Sequence, residues 1–507
     1  MRRALTTGPV ALRLLLSLFA LFALQSCASV PAPLAQAPTQ AQPQPAESRI
    51  VIFHSNDIHG KIDNFAKVAA IVDAERKGGA DVFYFCAGDN FTGNPVIDQY
   101  DPPGEPILAL LNRLGVNLMC PGNHEFDYGL DNLRKFEAEG RFSLISANIE
   151  ALPGILPLLR PSAVLTTRSG IKIAVFGLIQ VEAGNGLPST HPDKVKGLRF
   201  SYPFARAMEM KKLRAGNDVL IGLTHIGYDQ DLLLAGMMPE LDVIIGGHSH
   251  TRVDPAEMAN GVLVAQAGSD NRYLGRVELL VRNGRVIKKK GMLIDLKGSM
   301  AEAADIKEMI VRFNQNPAFA RVIATAPFAI EGNDALGCLM TDAMRWAHGL
   351  DIAFQNGGGI RLNRLSEKIT LKDVYTLDPF GNQVVEIAMN AEEIRSLIAV
   401  SFAKGHDIDL QVSGITYVVR TDSEWHIQEI LLRAPDGSPL PEDRIYKVGV
   451  SSYVASSYNF AHKDPGRALN AITADALIRF LEGGPDLSVY RGIQRAYQDP
   501  PALRTRY

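Results

Sequence analysis

Apolar residues in this chain come in short β-branched or aromatic runs at 50–53, 82–86, 171–178, 219–223 and 243–245, separated by helix-length stretches. Runs of that length read as strands, and their alternation with helical segments predicts an α/β fold. Three of the runs pass directly into polar residues. The first leads into 54–59, the second into Gly88-Asp89, and the fifth into Gly246-Gly247-His248-Ser249-His250. Loops at the carboxyl ends of strands converge on one crevice in such folds, so these positions are expected to share a site. Farther on, Ile306, Met309, Ile310 and Phe313 fall at helical spacing within 302–314, after the Gly298-Ser299 break, and predict a helix that connects two domains. Beyond it, 336–350 reads as a helix and 351–354, 384–389 and 414–420 as strands of a second α/β unit.

Size and charge sharpen this picture. With 507 residues, 46% of them hydrophobic, the chain fills more than one core, because single cores stop growing near about 250 to 300 residues. A formal charge of -3 supplies no basic field for a phosphate backbone, which argues against a nucleic acid polymer as partner. At the N-terminus, Arg2, Arg3 and Arg13 precede the apolar run 14–24, too short to span a bilayer and suited to a secretory signal. The tetrapeptide Leu24-Gln25-Ser26-Cys27 that follows resembles a bacterial lipoprotein processing site, which implies an exported protein tied to the membrane through lipidated Cys27. Ala28 in the next position implies the outer membrane, with the protein facing the periplasm or the cell surface. Residues 28–48, rich in Pro, Ala and Gln, cannot bury apolar surface and read as an extended tether. The expected organisation is signal peptide 1–27, tether 28–48, N-terminal domain 49–298, connector 299–324 and C-terminal domain 325–507. Cys86, Cys120 and Cys338 have no CxxC spacing and read as buried thiols.

The chemistry lies in four short motifs: Asp57-Ile58-His59, Gly88-Asp89, Gly122-Asn123-His124-Glu125 and Gly246-Gly247-His248-Ser249-His250, with His225 after a further apolar run. Carboxylate, imidazole and amide oxygen suit borderline-hard divalent cations, and Zn²⁺, Mn²⁺, Fe²⁺ and Co²⁺ are all compatible. Two such ions about 3.5 to 4 Å apart clamp the attacking and leaving oxygens of a phosphoryl transfer. Any one motif is common; their order and placement together are not.

On these motifs the chain, over about residues 50 to 480, resembles the 5′-nucleotidase family of calcineurin-like metallophosphoesterases. The resemblance implies a four-layer α/β/β/α metallophosphoesterase domain followed by a C-terminal α/β 5′-nucleotidase substrate domain. It implies two divalent metal ions, one held by Asp57, His59, Asp89 and His250, the other by Asp89, Asn123, His225 and His248, with Asp89 bridging. It also makes His124 a catalytic group that touches the phosphoryl group or protonates the leaving oxygen. Asp127, three residues on, shares a helical face with His124 and is suited to orient its imidazole.

In the second half, Asn356-Gly357-Gly358-Gly359-Ile360-Arg361 offers close backbone approach and a guanidinium fork. By resemblance it is a substrate-binding motif, with Asn356, Gly358 and Arg361 in contact. Pro379-Phe380-Gly381-Asn382 matches the family's nucleobase clamp, and Phe460, ahead of Tyr458, is the best match for the opposing ring. Two departures stand out: Gly332-Asn333-Asp334-Ala335 lacks a phosphate-binding Arg, and Ser456-Ser457-Tyr458-Asn459 replaces a Gly-Gly-Asp-Gly run. The function implied is hydrolysis of nucleoside 5′-monophosphates at the cell envelope. Its rivals are a UDP-sugar or 2′,3′-cyclic nucleotide hydrolase on the same metal pair and a non-catalytic nucleotide-binding lipoprotein.

Overall fold

The computed structural model describes residues 47–298 and 300–499. The expected signal segment, Cys27 and all but the last two residues of the expected tether lie outside the described residues.

The predicted strand runs are buried on both faces, which is why they read as continuous rather than alternating. Ile50, Val51, Ile52 and Phe53 are all fully buried within strand Ser48–Ser55. This strand pairs in parallel with Asp81–Cys86, followed by Leu118–Met119 and Ser143–Leu144, and antiparallel with Tyr273–Arg282, which pairs with Arg285–Asp295 to complete a six-stranded sheet. A second six-stranded sheet has the order Glu257–Ala259, Val262–Ala265, Val243–Ile245, Val219–His225, Lys172–Ile179, Ser162–Thr166, parallel at its centre.

The inner faces of the two sheets meet through Ile50, Ile52 and Phe85 on one side and Val175, Ile221 and Ile245 on the other. The alternate residues Val51 and Phe53 turn outward against helices Phe65–Arg76 and Glu105–Leu114. On the far side, Phe176, Leu220 and Ile244 pack under helices Pro203–Met210 and Tyr228–Met237. The result is the expected four-layer α/β/β/α domain. Each fully buried aliphatic or aromatic side chain contributes about 1.5 to 3 kcal/mol.

Helix Ala304–Phe313, in the stretch expected to connect the two domains, packs on the N-terminal one. Ile306 and Phe313 are buried, the helix lies against Phe65–Arg76 and Glu105–Leu114, and Asp305 pairs with Arg113. Its apolar stripe extends the outer helical layer of the N-terminal domain.

The C-terminal domain is built on a five-stranded sheet in the order Leu410–Ser413, Ile352–Asn356, Tyr446–Ser451, Gln383–Met389, Arg467–Ile472, and a three-stranded one of Ile427–Arg433, Thr416–Thr421 and Ala496–Asp499. Helix Asn333–His348 covers one side of the larger sheet and packs on helix Thr473–Glu482. Helix Ala391–Phe402 covers the other side and starts at a reciprocal cap, in which Asn390 accepts from the Glu393 N–H and Glu393 from the Asn390 N–H. Cys86, Cys120 and Cys338 are buried free thiols. No helix among the described residues is long and apolar enough to cross a membrane.

Candidate metal centre

Parallel register brings the ligand-bearing loops together. Ser55 is level with Cys86 and Cys86 with Met119, so the loops carrying Asp57, Asp89 and Asn123 leave one sheet side by side. In the other sheet Ile245 is level with Leu223, which sets the His248 loop beside His225, the last residue of its strand. The loops run through left-handed backbone at Asp57, His59, Asp89, His248 and His250, with φ between 48° and 81°. Such conformations cost roughly 1 to 3 kcal/mol each in non-glycine residues and persist where surrounding bonds enforce them. Here the Asp57 N–H donates to Gly88 O (2.9 Å), and the His248 N–H to Asp57 Oδ2 (3.0 Å).

The ligand atoms fall into overlapping groups in which all lie within 4.8 Å of one another: Asp57, His59 and His250; Asp89, His225 and His248; His59, Asp89 and His124. His59 Nε2 is 3.0 Å from His250 Nε2, which lies 3.5 Å from Asp57 Oδ1. His225 Nε2 is 3.1 Å from Asp89 Oδ2 and 4.0 Å from Asp57 Oδ1. His248 Nδ1 is 3.1 Å from Asn123 Oδ1.

Three observations test whether this arrangement suits cations. His59 and His225 each set Nδ1 against a backbone carbonyl, Thr92 O at 3.1 Å and Ala87 O at 2.6 Å. A carbonyl only accepts, so Nδ1 carries a hydrogen and Nε2 is the nitrogen turned to the site. Second, buried His225 Nε2 makes no hydrogen bond despite its closeness to Asp89. Third, burial holds His59 well below the usual imidazole range, His248 at about 3 and His250 at about 4, so these rings stay neutral and able to ligate. Burial also pushes Asp57 up to about 7. In His225, burial opposes charge but the Asp89 and Asp57 carboxylates outweigh it and raise the ring to about 10. Converging lone pairs and confined carboxylates fit divalent metal ions.

Asn123 donates from Nδ2 to Ser189 O (3.1 Å), which turns Oδ1 toward His248. His124 sits on a short 3-10 turn that brings Nδ1 within 2.7 Å of Asp127 Oδ2. Thr92 Oγ1 donates to the same oxygen at 2.7 Å and Thr190 Oγ1 to Asp127 Oδ1 at 3.2 Å. Burial disfavours the His124 cation, but Asp89 and Asp127 raise it above the ordinary imidazole value. His124 Nε2 is left 4.0 Å from Asp89 Oδ2, and its ring stacks on Phe380 with centroids 5.7 Å apart.

A cavity of about 600 Å³ opens from Asp89, Asn123 and His248 toward Asn356, Gly358, Arg361, Phe380 and Tyr453 of the C-terminal domain. Arg361 Nη2 lies 3.3 and 3.4 Å from the two nitrogens of His59, and so over the ring, and its guanidinium is 5.8 Å from the centre of Phe380. Of the three glycines, Gly357 gives its N–H to Asp409 O (2.7 Å), while a Cβ at Gly359 would stand 2.0 Å from Gln355 Nε2. Close packing against the buried Gln355 side chain favours glycine there.

Phe460 is not where the sequence led us to expect it. It is 6% exposed, stacks on His462 and belongs to the C-terminal core, away from the cavity lining. Helix Ser452–Ser457 turns Tyr453 into the cavity instead, and the chain beyond it binds the helix Ala391–Phe402 through Ala461 N–H to Ser396 Oγ (2.9 Å). Tyr458 is likewise buried, its hydroxyl donating to Asp409. The wall segment with Ser189 and Thr190, and the hydroxyl of Thr92, also went unread, because nothing local marks an ordinary Ser or Thr as the partner of a residue more than thirty positions away.

Residues 50–252 match the family model of calcineurin-like phosphoesterases and 319–461 that of the 5′-nucleotidase C-terminal domain, together more than half of the chain. A trifunctional nucleotide phosphoesterase protein of Bacillus subtilis is 25% identical over 80% of this chain, which spans about a third of that relative (32%). A 5′-nucleotidase of Vibrio cholerae is 26% identical, over 90% of this chain and 94% of its own length. Among solved structures, a 5′-nucleotidase precursor from Thermus thermophilus superposes with a TM-score of 0.75 at 25% identity, over 89% of this chain and 99% of that one.

Proposed function

The chain belongs to the 5′-nucleotidase family of calcineurin-like metallophosphoesterases, and from that premise we propose that it hydrolyses nucleoside 5′-monophosphates to nucleoside and phosphate at the cell envelope. The observation that carries the proposal is the shared cavity, in which metal-ligating loops of one domain face Arg361, Phe380 and Tyr453 of the other. About 600 Å³ is within the range of small-molecule sites and accommodates a nucleotide.

Asp57, His59, Asp89 and His250 would hold one divalent ion, and Asp89, Asn123, His225 and His248 a second. When bound, such ions lower the pKa of water and offset charge on phosphoryl oxygens. The protein supplies the rest. His225 and His59 are locked by their Nδ1–H bonds, so their orientation is set before metal or substrate arrives. Arg361 offers a planar fork to the phosphoryl oxygens. Phe380 and Tyr453 give the base aromatic surface, which tolerates different bases. His124, its Nδ1–H held by Asp127, carries a proton at Nε2 toward the leaving 5′-oxygen; Asp127 stabilises the imidazolium before transfer, and the ring is left neutral after it.

The test is product formation followed by chromatography, with metal content measured on the same protein: nucleoside and phosphate from AMP and UMP, UMP and sugar 1-phosphate from a UDP-sugar, and the ring-opened monophosphate from a 2′,3′-cyclic nucleotide. Highest kcat/KM on the monophosphates is expected. A UDP-sugar or cyclic nucleotide turned over faster than AMP would replace the substrate assignment. No hydrolysis product from any of them with Mn²⁺, Co²⁺ or Zn²⁺ supplied would favour a binding protein. Anchoring through lipidated Cys27 predicts that Cys27→Ala moves the protein from the membrane to the soluble fraction.

A further inference from the structure

Glu125 belongs to the third metal motif, yet it faces away from the ligands. Its side chain is fully buried, and its partners are N–H groups instead of a cation. Oε2 accepts from the Gly122 N–H at 2.6 Å and the Asp89 N–H at 2.7 Å. Oε1 accepts from the Asn90 N–H at 2.7 Å and, more weakly, from Asn90 Nδ2 at 3.2 Å. Burying a carboxylate is costly unless every lone pair is satisfied, and here the satisfied bonds fall on two separate ligand loops.

Those loops need holding. Gly88 and Asp89 are left-handed, with φ of 84° and 54°. Gly122 approaches so closely that a Cβ there would stand 2.2 Å from Asp89 Oδ1 and 2.7 Å from the His225 ring. Asp89 Oδ1 in turn accepts from the His124 N–H at 2.8 Å. One carboxylate therefore ties the backbone of the shared ligand Asp89 to the turn that carries Asn123.

We propose that Glu125 is a positioning residue that sets the metal affinity of the centre, by pinning the Asp89 loop to the Gly122-Asn123 turn in ligating geometry. The proposal rests on the metal-binding reading of the site and is independent of the substrate assignment. Glutamine keeps the shape of the side chain but turns one oxygen into an NH₂ group. Each oxygen faces two donors, so either orientation sets donor against donor and releases one side of the clamp. Residues that orient metal ligands typically contribute 10- to 100-fold to metal affinity.

The experiment compares the wild-type chain with Glu125→Gln and Glu125→Asp after removal of metal with a chelator. Each is titrated with Co²⁺ and with Zn²⁺ against a competing indicator, and the melting temperature of each metal-free protein is recorded. Co²⁺ and Zn²⁺ dissociation constants at least about tenfold weaker in the folded variants are expected. A folded Gln or Asp variant with wild-type affinity would overturn the proposal, as would a lowered melting temperature with affinity unchanged or failure of both variants to fold, since these outcomes assign Glu125 to stability alone. Wild-type protein that takes up neither ion would overturn it together with the metal reading. Wild-type protein that binds metal but releases no phosphate from nucleotides would overturn only the substrate assignment, and the affinity comparison would still decide the role of Glu125.

Discussion

Replacing His124 by alanine separates proton transfer from metal binding. The ring has one anchored nitrogen, Nδ1 at 2.7 Å from Asp127, and one directed toward the site, Nε2 at 4.0 Å from Asp89 Oδ2. His124→Ala removes the positioned proton donor, and loss of a general acid typically costs about 10²- to 10⁴-fold in kcat. At about 1.36 kcal/mol per tenfold, that is roughly 3 to 5 kcal/mol of transition-state stabilisation. The backbone N–H to Asp89 Oδ1 survives the change, as do the Nδ1 anchors of His59 and His225 and the bond from Asn123 to Ser189. Metal content is therefore expected to stay at the wild-type level, and KM to move much less than kcat. Steady-state kinetics on AMP with elemental analysis of the same preparation reads both. Because His124 also falls in a ligand group with His59 and Asp89, loss of metal in the variant would show it to be a ligand, and the reasoning would fail.

Three further changes probe other links in the chain. Tyr453→Ala is expected to raise KM for a nucleotide by about 5- to 150-fold, from about 1 to 3 kcal/mol of base stacking, while Phe460→Ala lowers the melting temperature and leaves KM near wild type; the reverse pattern would restore Phe460 to the base site. His54 is fully buried, and burial lowers its imidazole to about 4 with Nδ1 unpartnered. Above its unfolded pKa of about 6.5 both states are neutral and the ring adds no pH dependence. As pH falls below that value the unfolded chain takes up the proton first, so stability is lost between about pH 6.5 and 4. His54→Phe is expected to flatten the melting-temperature profile over that window. Parallel profiles for the two proteins would mean that His54 does not titrate there.

Much of the fold was legible because burial on both faces makes strands into continuous apolar runs. Residues 243–245 were read with both ends correct, and 219–223 stopped two residues short, because Thr224 and His225 are polar but pair with Leu178 and Ile179 in the sheet. The helix at 302–314 follows from its 3.6-residue spacing, whereas the helices it packs on are known only from the structure. Periodicity reveals that an apolar stripe exists and is silent about which surface covers it.

What the sequence offered by itself is the inventory of candidate ligands. Asp57, His59, Asp89, Asn123, His225, His248 and His250 carry donor chemistry in their own side chains, and their places after apolar runs put them at strand ends. The tertiary structure alone decided everything that depends on distance between far-separated residues: the choice of Tyr453 over Phe460 at the cavity, the hydroxyls of Thr92 and Thr190 on Asp127, and the hold of Glu125 on two loops. A ligand atom is a property of one residue, whereas a wall, an anchor or a clamp exists only once packing has fixed where its partners stand.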